Sequence, residues 1–114
     1  MEIEGLVGQS LSSVEFSQDF EELHFDGPTL TLYEWPDVFR EEGSYAFGEP
    51  EYRNVLCALI AEDVSAASLV EGEAVEVQFE NGASIRTSLR PEDVTTPEAG
   101  SLTSGEPGDE MLVF

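Results

Sequence analysis

Lysine is missing from this chain altogether. Arg40, Arg53, Arg86 and Arg90 are the only fixed cations, and they face 25 Asp and Glu residues, a formal charge of −21 over 114 residues. Phosphate backbones are gripped by basic surfaces and none is available, so direct nucleic-acid binding is excluded. Adsorption to an anionic membrane is disfavoured for the same reason. Most carboxylates must stand in water and repel one another, a cost that falls as salt shortens the Debye length from about 10 Å at 0.1 M. Cysteine is nearly missing too: Cys57 stands alone, so no internal disulfide can form. Met1-Glu-Ile-Glu offers neither the basic nor the apolar stretch of a secretory signal. No apolar run approaches the roughly 20 residues that span a bilayer. A cytoplasmic location and no membrane partner are the expectations.

Apolar content is not missing. With 40% hydrophobic residues, seven Phe, three Tyr and one Trp, the chain can fill a core. Its length suits a single domain over residues 1–114. Two stretches read alike. The first runs Leu11-Ser-Ser-Val14-Glu-Phe16, then Phe20-Glu-Glu-Leu23-His-Phe25-Asp-Gly27, Leu30-Thr-Leu32 and Pro36-Asp-Val38. The second runs Val64-Ser-Ala-Ala67-Ser-Leu69, then Ala74-Val-Glu-Val77-Gln-Phe79-Glu-Asn-Gly82, Ile85-Arg-Thr87 and Pro91-Glu-Asp93. The offset grows from 53 to 55 residues along the match. Each unit, about residues 6–39 and 64–94, predicts three short antiparallel strands. Asp26-Gly27-Pro28 and Asn81-Gly82 supply the positive φ that tight hairpins need. Val75, Val77 and Phe79 alternate with Glu76, Gln78 and Glu80, the period of a strand with one buried face.

Between the units the spacing predicts one helix, about residues 50–62. Pro50 suits its first turn, Glu49 and Glu51 suit its positive end, and Tyr52, Val55, Leu56, Leu59 and Ile60 form a single apolar stripe. Residues 38–48 read as a loop on account of Gly43, Gly48 and the Glu41-Glu42 pair. Residues 95–109, rich in Thr, Pro, Gly and Ser, read as a mobile connector. The apolar terminus Met111-Leu-Val-Phe114 is expected to dock as an edge strand. The expected fold is α+β: two three-stranded antiparallel meanders forming a curved sheet or open barrel, with the helix packed over it.

Residues that carry chemistry are scarce. His24 is the only histidine. A nucleophilic dyad with Cys57 needs an exposed thiol and an orienting group, and Cys57 beside an apolar stripe reads as a small hydrophobe. One His and one Cys are too few for a zinc site. Asp19, Glu21 and Glu22 are the densest carboxylates near a turn, without a calcium-loop pattern. GxGxxG, GxxxxGK and GxSxG are all absent, so no cofactor and no reaction are expected. What remains is surface. Tyr33, Trp35, Phe39, Tyr45 and Phe47 gather at the end of the first meander and are the candidate partner-binding residues. The competing reading is that they cover a sheet edge and complete the core.

The order Tyr52-Arg53-Asn54-Val55-Leu56-Cys57, Phe79-Glu-Asn-Gly82, Ser88-Leu89-Arg90-Pro91-Glu92-Asp93 and Pro97-Glu98-Ala99 resembles a group of small uncharacterised bacterial proteins. In these a helix sits between two β-meanders and a Pro-Glu-Ala segment precedes an aromatic C-terminus, here Phe114 where a tryptophan is expected. The resemblance implies an immunity or accessory role and carries no functional residue across. Together the sequence points to a non-enzymatic acidic protein that binds a basic protein partner, as a monomer or homodimer. The alternative is a salt-adapted domain whose acidity is environmental, with a ligand-binding or enzymatic role of its own.

Overall fold

Alternating runs closed by glycine turns become strands at the places the repeat predicts. The computed structural model describes residues 2–105 and 111–114. In chain order the elements are a 3₁₀ turn (Ile3–Leu6), β1 (Leu11–Phe16), β2 (Glu21–Phe25), β3 (Thr29–Leu32), β4 (Asp37–Arg40), β5 (Gly43–Tyr45), α1 (Tyr52–Cys57), β6 (Val64–Val70), β7 (Ala74–Phe79), β8 (Ser84–Ser88), β9 (Gly100–Thr103) and β10 (Leu112–Val113). Gly27 and Gly82 take φ of +115° and +91° in the equivalent hairpin turns. The Asn81 side chain accepts the Ala83 N–H at 3.0 Å and fixes the second turn.

Among the described residues the chain is mostly β with one short α-helix, and the strands form two open, curved antiparallel sheets where one curved sheet or open barrel was expected. Their orders are β1-β2-β3-β9-β10 and β5-β4-β8-β7-β6. β3 and β8 each present a free edge after their own meander, and each edge is paired by the other half's hairpin. β4 lies on β8 with Val38 opposite Ile85, and β9 lies on β3 with Leu102 opposite Leu30. The repeated unit is therefore five strands with its last two exchanged. Residues 38–48, expected as a loop, carry the end of β4 and all of β5. The stretch expected as a mobile connector carries β9, whose residues 100–102 are buried. Residues 106–110 of that stretch lie outside the described residues. The terminal edge strand is β10.

The two halves are related residue by residue. Leu11 faces Phe25 as Val64 faces Phe79, and both β1 and β6 bulge immediately afterwards. The backbone bonds before the strands are reciprocal. Gly8 N–H donates to Val64 O and Ala61 N–H to Leu11 O, while Val64 N–H donates to Gln9 O and Leu11 N–H to Glu62 O. Ser10 and Asp63, the equivalent residues between them, meet in an isolated bridge, and the Ser10 hydroxyl donates to the Asp63 carboxylate.

This equivalence explains why α1 has six residues instead of the stretch 50–62. Leu56 and Leu59 stand where Ile3 and Leu6 stand, and all four are buried. The segment after Cys57 must repeat the 3₁₀ turn. Ile60 N–H donates to Cys57 O as Val7 N–H donates to Glu4 O, and Ala61 turns the chain at φ +79° where Gly8 does so at +87°. Cys57 points away from the buried side and is exposed, not a core hydrophobe. The inner faces of both sheets, the 3₁₀ turn and α1 share one core. Among the described residues no helix is long and apolar enough to cross a membrane.

Candidate functional site

The first residue of α1 anchors it. Tyr52 is buried, and its ring meets Phe47 edge-on at 5.9 Å between centroids. Phe47 in turn stacks on Trp35 at 4.2 Å, with the planes 9° apart. The Arg53 guanidinium lies 5.7 Å over the Phe16 ring. Tyr45, opposite Val38, packs against the core. The structure thus brings Trp35 and Phe47 together with Tyr52 as the seat of the helix. Phe39 is exposed on the other face of β4 from buried Val38, and Tyr33 makes an edge contact with Phe20 at 6.1 Å. Of the five aromatics singled out from the sequence, Trp35 and Phe47 form the helix seat, Tyr45 packs against the core, and Phe39 and Tyr33 stand apart.

Beside Tyr52 lies one of the three carboxyls expected at the first turn. Glu21 is fully buried, and its Oε1 has no hydrogen-bond partner among the described residues. Tyr52 Oη lies 3.1 Å from Glu21 Oε2 and 2.8 Å from the Pro36 carbonyl. A phenol has one proton, and a carbonyl and a carboxylate both only accept. An ionised Glu21 leaves one of these contacts without a hydrogen; a protonated Glu21 donates to the phenol oxygen while the phenol donates to Pro36. Burial pushes the Glu21 pKa up to about 7, against the smaller downward pull of the Tyr52 hydrogen bond. The same burial, with Glu21 and Asp37 nearby, raises the Tyr52 pKa. Asp37 is raised by burial and then by Glu49.

The equivalent place in the second half is open. A groove of about 400 Å³ is lined by Leu69, Leu89, Val94, Pro97, Leu112 and Phe114, together with buried Ala99 and exposed Glu71. The stretch between β8 and β9 forms one wall and is tied down. Thr95 donates to Glu34 Oε1 through its backbone N–H at 2.7 Å and its hydroxyl at 2.9 Å. Phe114 forms another wall, because Gly100 lets its ring lie against β9. A Cβ on Gly100 would strike the Thr31 carbonyl and come within 2.8 Å of that ring. Ala99 N–H donates to Phe114 O at 2.8 Å, and Phe114 N–H donates to Gly100 O at 3.1 Å. The lining holds no histidine, cysteine or hydroxyl side chain, so the groove offers apolar area and shape rather than acid–base chemistry.

A third cluster lies on the outer face of the first sheet. Glu15 faces Glu22 across β1 and β2, and both carboxylates and the His24 imidazole lie within 4.8 Å of one another. His24 Nε2 is 3.7 Å from Glu22 Oε1, its Nδ1 is 3.3 Å from the Thr29 hydroxyl, and Thr31 donates to Glu22 Oε2 at 3.0 Å. Two like charges placed directly opposite repel, and a counter-ion relieves them. Three donors on an open sheet face leave most of a cation's coordination to water. Asp19, Glu21 and Glu22 do not converge: Glu21 points inward and Glu22 outward on β2.

Comparison with family models, curated proteins and solved structures finds no match. The groove escaped the sequence because its residues come from three separate stretches, around 69–72, 89–99 and 112–114. The one signal available was the apolar terminus at 111–114, read as a strand but not as a wall.

Proposed function

We propose that this chain is a non-catalytic protein-binding module of immunity or inhibitor type, which takes an apolar segment of a basic protein into the groove between β6, β8 and β10. The observation that carries this reading is the groove itself. It is an open apolar surface on a molecule of charge −21, and such surfaces on otherwise polar proteins mark interaction sites. Its surroundings add the charge preference. Glu71 lines it, Glu92 and Asp93 sit between lining residues Pro91 and Val94, and Glu98 sits between Pro97 and Ala99. The nearest arginine, Arg90, is held by Glu73 at 3.5 Å. A basic partner is drawn to this rim by the field of the whole molecule, which raises its association rate at low ionic strength.

The complete absence of lysine and the spread of acids along the whole chain favour a second reading, in which the acidity is adaptation to a salty interior. Under it the groove binds a partner whose charge is not specified. Both readings are tested by capture from native lysate with the wild type and with Leu89→Glu. One discrete basic protein retained by the wild type at about 50 mM salt, lost at about 500 mM and lost with the variant, supports the first reading. Capture that ignores salt supports the second, and no protein that distinguishes wild type from variant overturns both.

A further inference from the structure

The internal repeat says what the groove is shaped to hold. Leu69 faces Val75 as Phe16 faces Glu21, and Leu112 faces Leu102 as Tyr45 faces Val38. Two residues beyond each of those stand Phe114 and Phe47; three residues before Leu102 and Val38 stand Ala99 and Trp35. The lining positions Leu69, Ala99, Leu112 and Phe114 are therefore the counterparts of Phe16, Trp35, Tyr45 and Phe47. In the first half Tyr52 meets Phe47 and Arg53 lies over Phe16, while Trp35 stacks behind Phe47 and Tyr45 packs against the core. In the second half three of the four are smaller, and among the described residues no α-helix is seated on them; the turn at residues 90–94, closed by the Val94 N–H on Arg90 O at 3.1 Å, forms a wall beside them.

We propose, resting on the protein-binding reading above, that the groove receives a helical turn of a partner protein bearing an aromatic anchor followed by a basic residue, docked as α1 docks in the other half. The exchange of Phe16, Trp35 and Tyr45 for Leu69, Ala99 and Leu112 opens the volume an aromatic ring needs. Charge complementarity fixes the neighbour. The counterpart of Phe16, over which Arg53 lies, is Leu69, two residues before Glu71. A cation next to the anchor meets that carboxylate.

The probe is a synthetic peptide of residues 49–61 with Glu49→Lys, Glu51→Lys and Cys57→Ser, titrated into the full-length isotope-labelled protein by NMR. Saturable binding is expected, with shifts centred on Leu69, Leu89, Leu112 and Phe114 and helical contacts within the bound peptide. Replacing the peptide's tyrosine by alanine weakens binding about tenfold or more, as loss of a buried aromatic anchor does. Glu71→Lys in the protein, at an exposed position that leaves the fold intact, weakens it several-fold, and Leu89→Ser abolishes it. No saturation below about 1 mM, where binding is worth only about 4 kcal/mol, overturns the proposal. So does affinity that is indifferent to the tyrosine, or a peptide laid as an extended strand along β10. A lysate partner that needs the groove while the peptide fails to bind sinks the helical mode and leaves the protein-binding reading standing.

Discussion

Glu21 is an acid placed where the repeat has a valine. Its counterpart is Val75, since Phe16 faces Glu21 as Leu69 faces Val75. The carboxyl is accommodated because Tyr52 reaches it, and the single phenol proton serves Pro36 while Glu21 stays bonded only when the carboxyl is protonated. The sign of the pH dependence follows. The folded-state pKa, about 7, lies above the ordinary 4.5, so the stability that Glu21 contributes is complete below pH 4.5 and is lost as pH rises through 7. A shift of that size corresponds to roughly 3 kcal/mol. The groups that act on Tyr52 here, Glu21 and Asp37, are both acids. Glu21→Gln keeps the shape and donates to Tyr52 without titrating. In urea unfolding it is expected to exceed the wild type by about 1–3 kcal/mol at pH 8 and to match it near pH 5. A constant difference across that range would show that Glu21 is not the titrating group.

The turn before each meander shows how far local residues decide an element. Gly8 and Ala61 hold the same left-handed conformation, with φ of +87° and +79°, and the same backbone hydrogen bond across the pseudo-axis. Alanine pays roughly 1–2 kcal/mol there, partly offset by the greater unfolded-state freedom of glycine. Ala61→Gly is therefore expected to raise the urea midpoint by the equivalent of about 0.5–1 kcal/mol, and Gly8→Ala to lower it by a similar amount. Equal effects of either sign in both variants would break the equivalence.

That equivalence was only partly legible in the residues. β1 to β3 and β6 to β8 could be read because alternating runs end at Asp26-Gly27 and Asn81-Gly82, both local signals. The match upstream, Gly5-Leu6-Val7-Gly8 against Ala58-Leu59-Ile60-Ala61, was hidden under a helical stripe. A 3₁₀ turn and a helix bury residues at similar spacing. β4 and β9 could not be read, since four residues carry little periodicity and their strand character comes from pairing with the other half. The groove was invisible for the same reason: Leu69, Leu89 and Leu112 meet only once β9 and β10 have crossed to β3. The aromatics did carry a trace of it. Trp35, Tyr45 and Phe47 are the counterparts of groove positions, so the sequence marked the filled copy of the site and missed the open one.

At the scale of the whole molecule, salt acts on two quantities in opposite directions. Self-repulsion among 25 carboxylates destabilises the compact state, and screening removes that cost first where charges are exposed. The pairs available are few and solvated: Arg40 with Glu42 at 3.2 Å and Arg90 with Glu73 at 3.5 Å, surface contacts worth about 0–1 kcal/mol each. Screening therefore relieves repulsion more than it weakens attraction. Raising NaCl from about 20 mM to 500 mM is expected to increase Tm by about 5–10 °C, the equivalent of 1–2 kcal/mol in a domain of this size. The same change weakens capture of a basic partner at the Glu71 rim, because steering and rim contacts are screened together. By about 1 M the Debye length is near 3 Å and screening is spent, so Tm should level off there if the charge serves a partner. A Tm that keeps climbing to about 2 M, with partner affinity unchanged, assigns the acidity to the solvent in which the protein lives and leaves the groove to bind through its apolar lining.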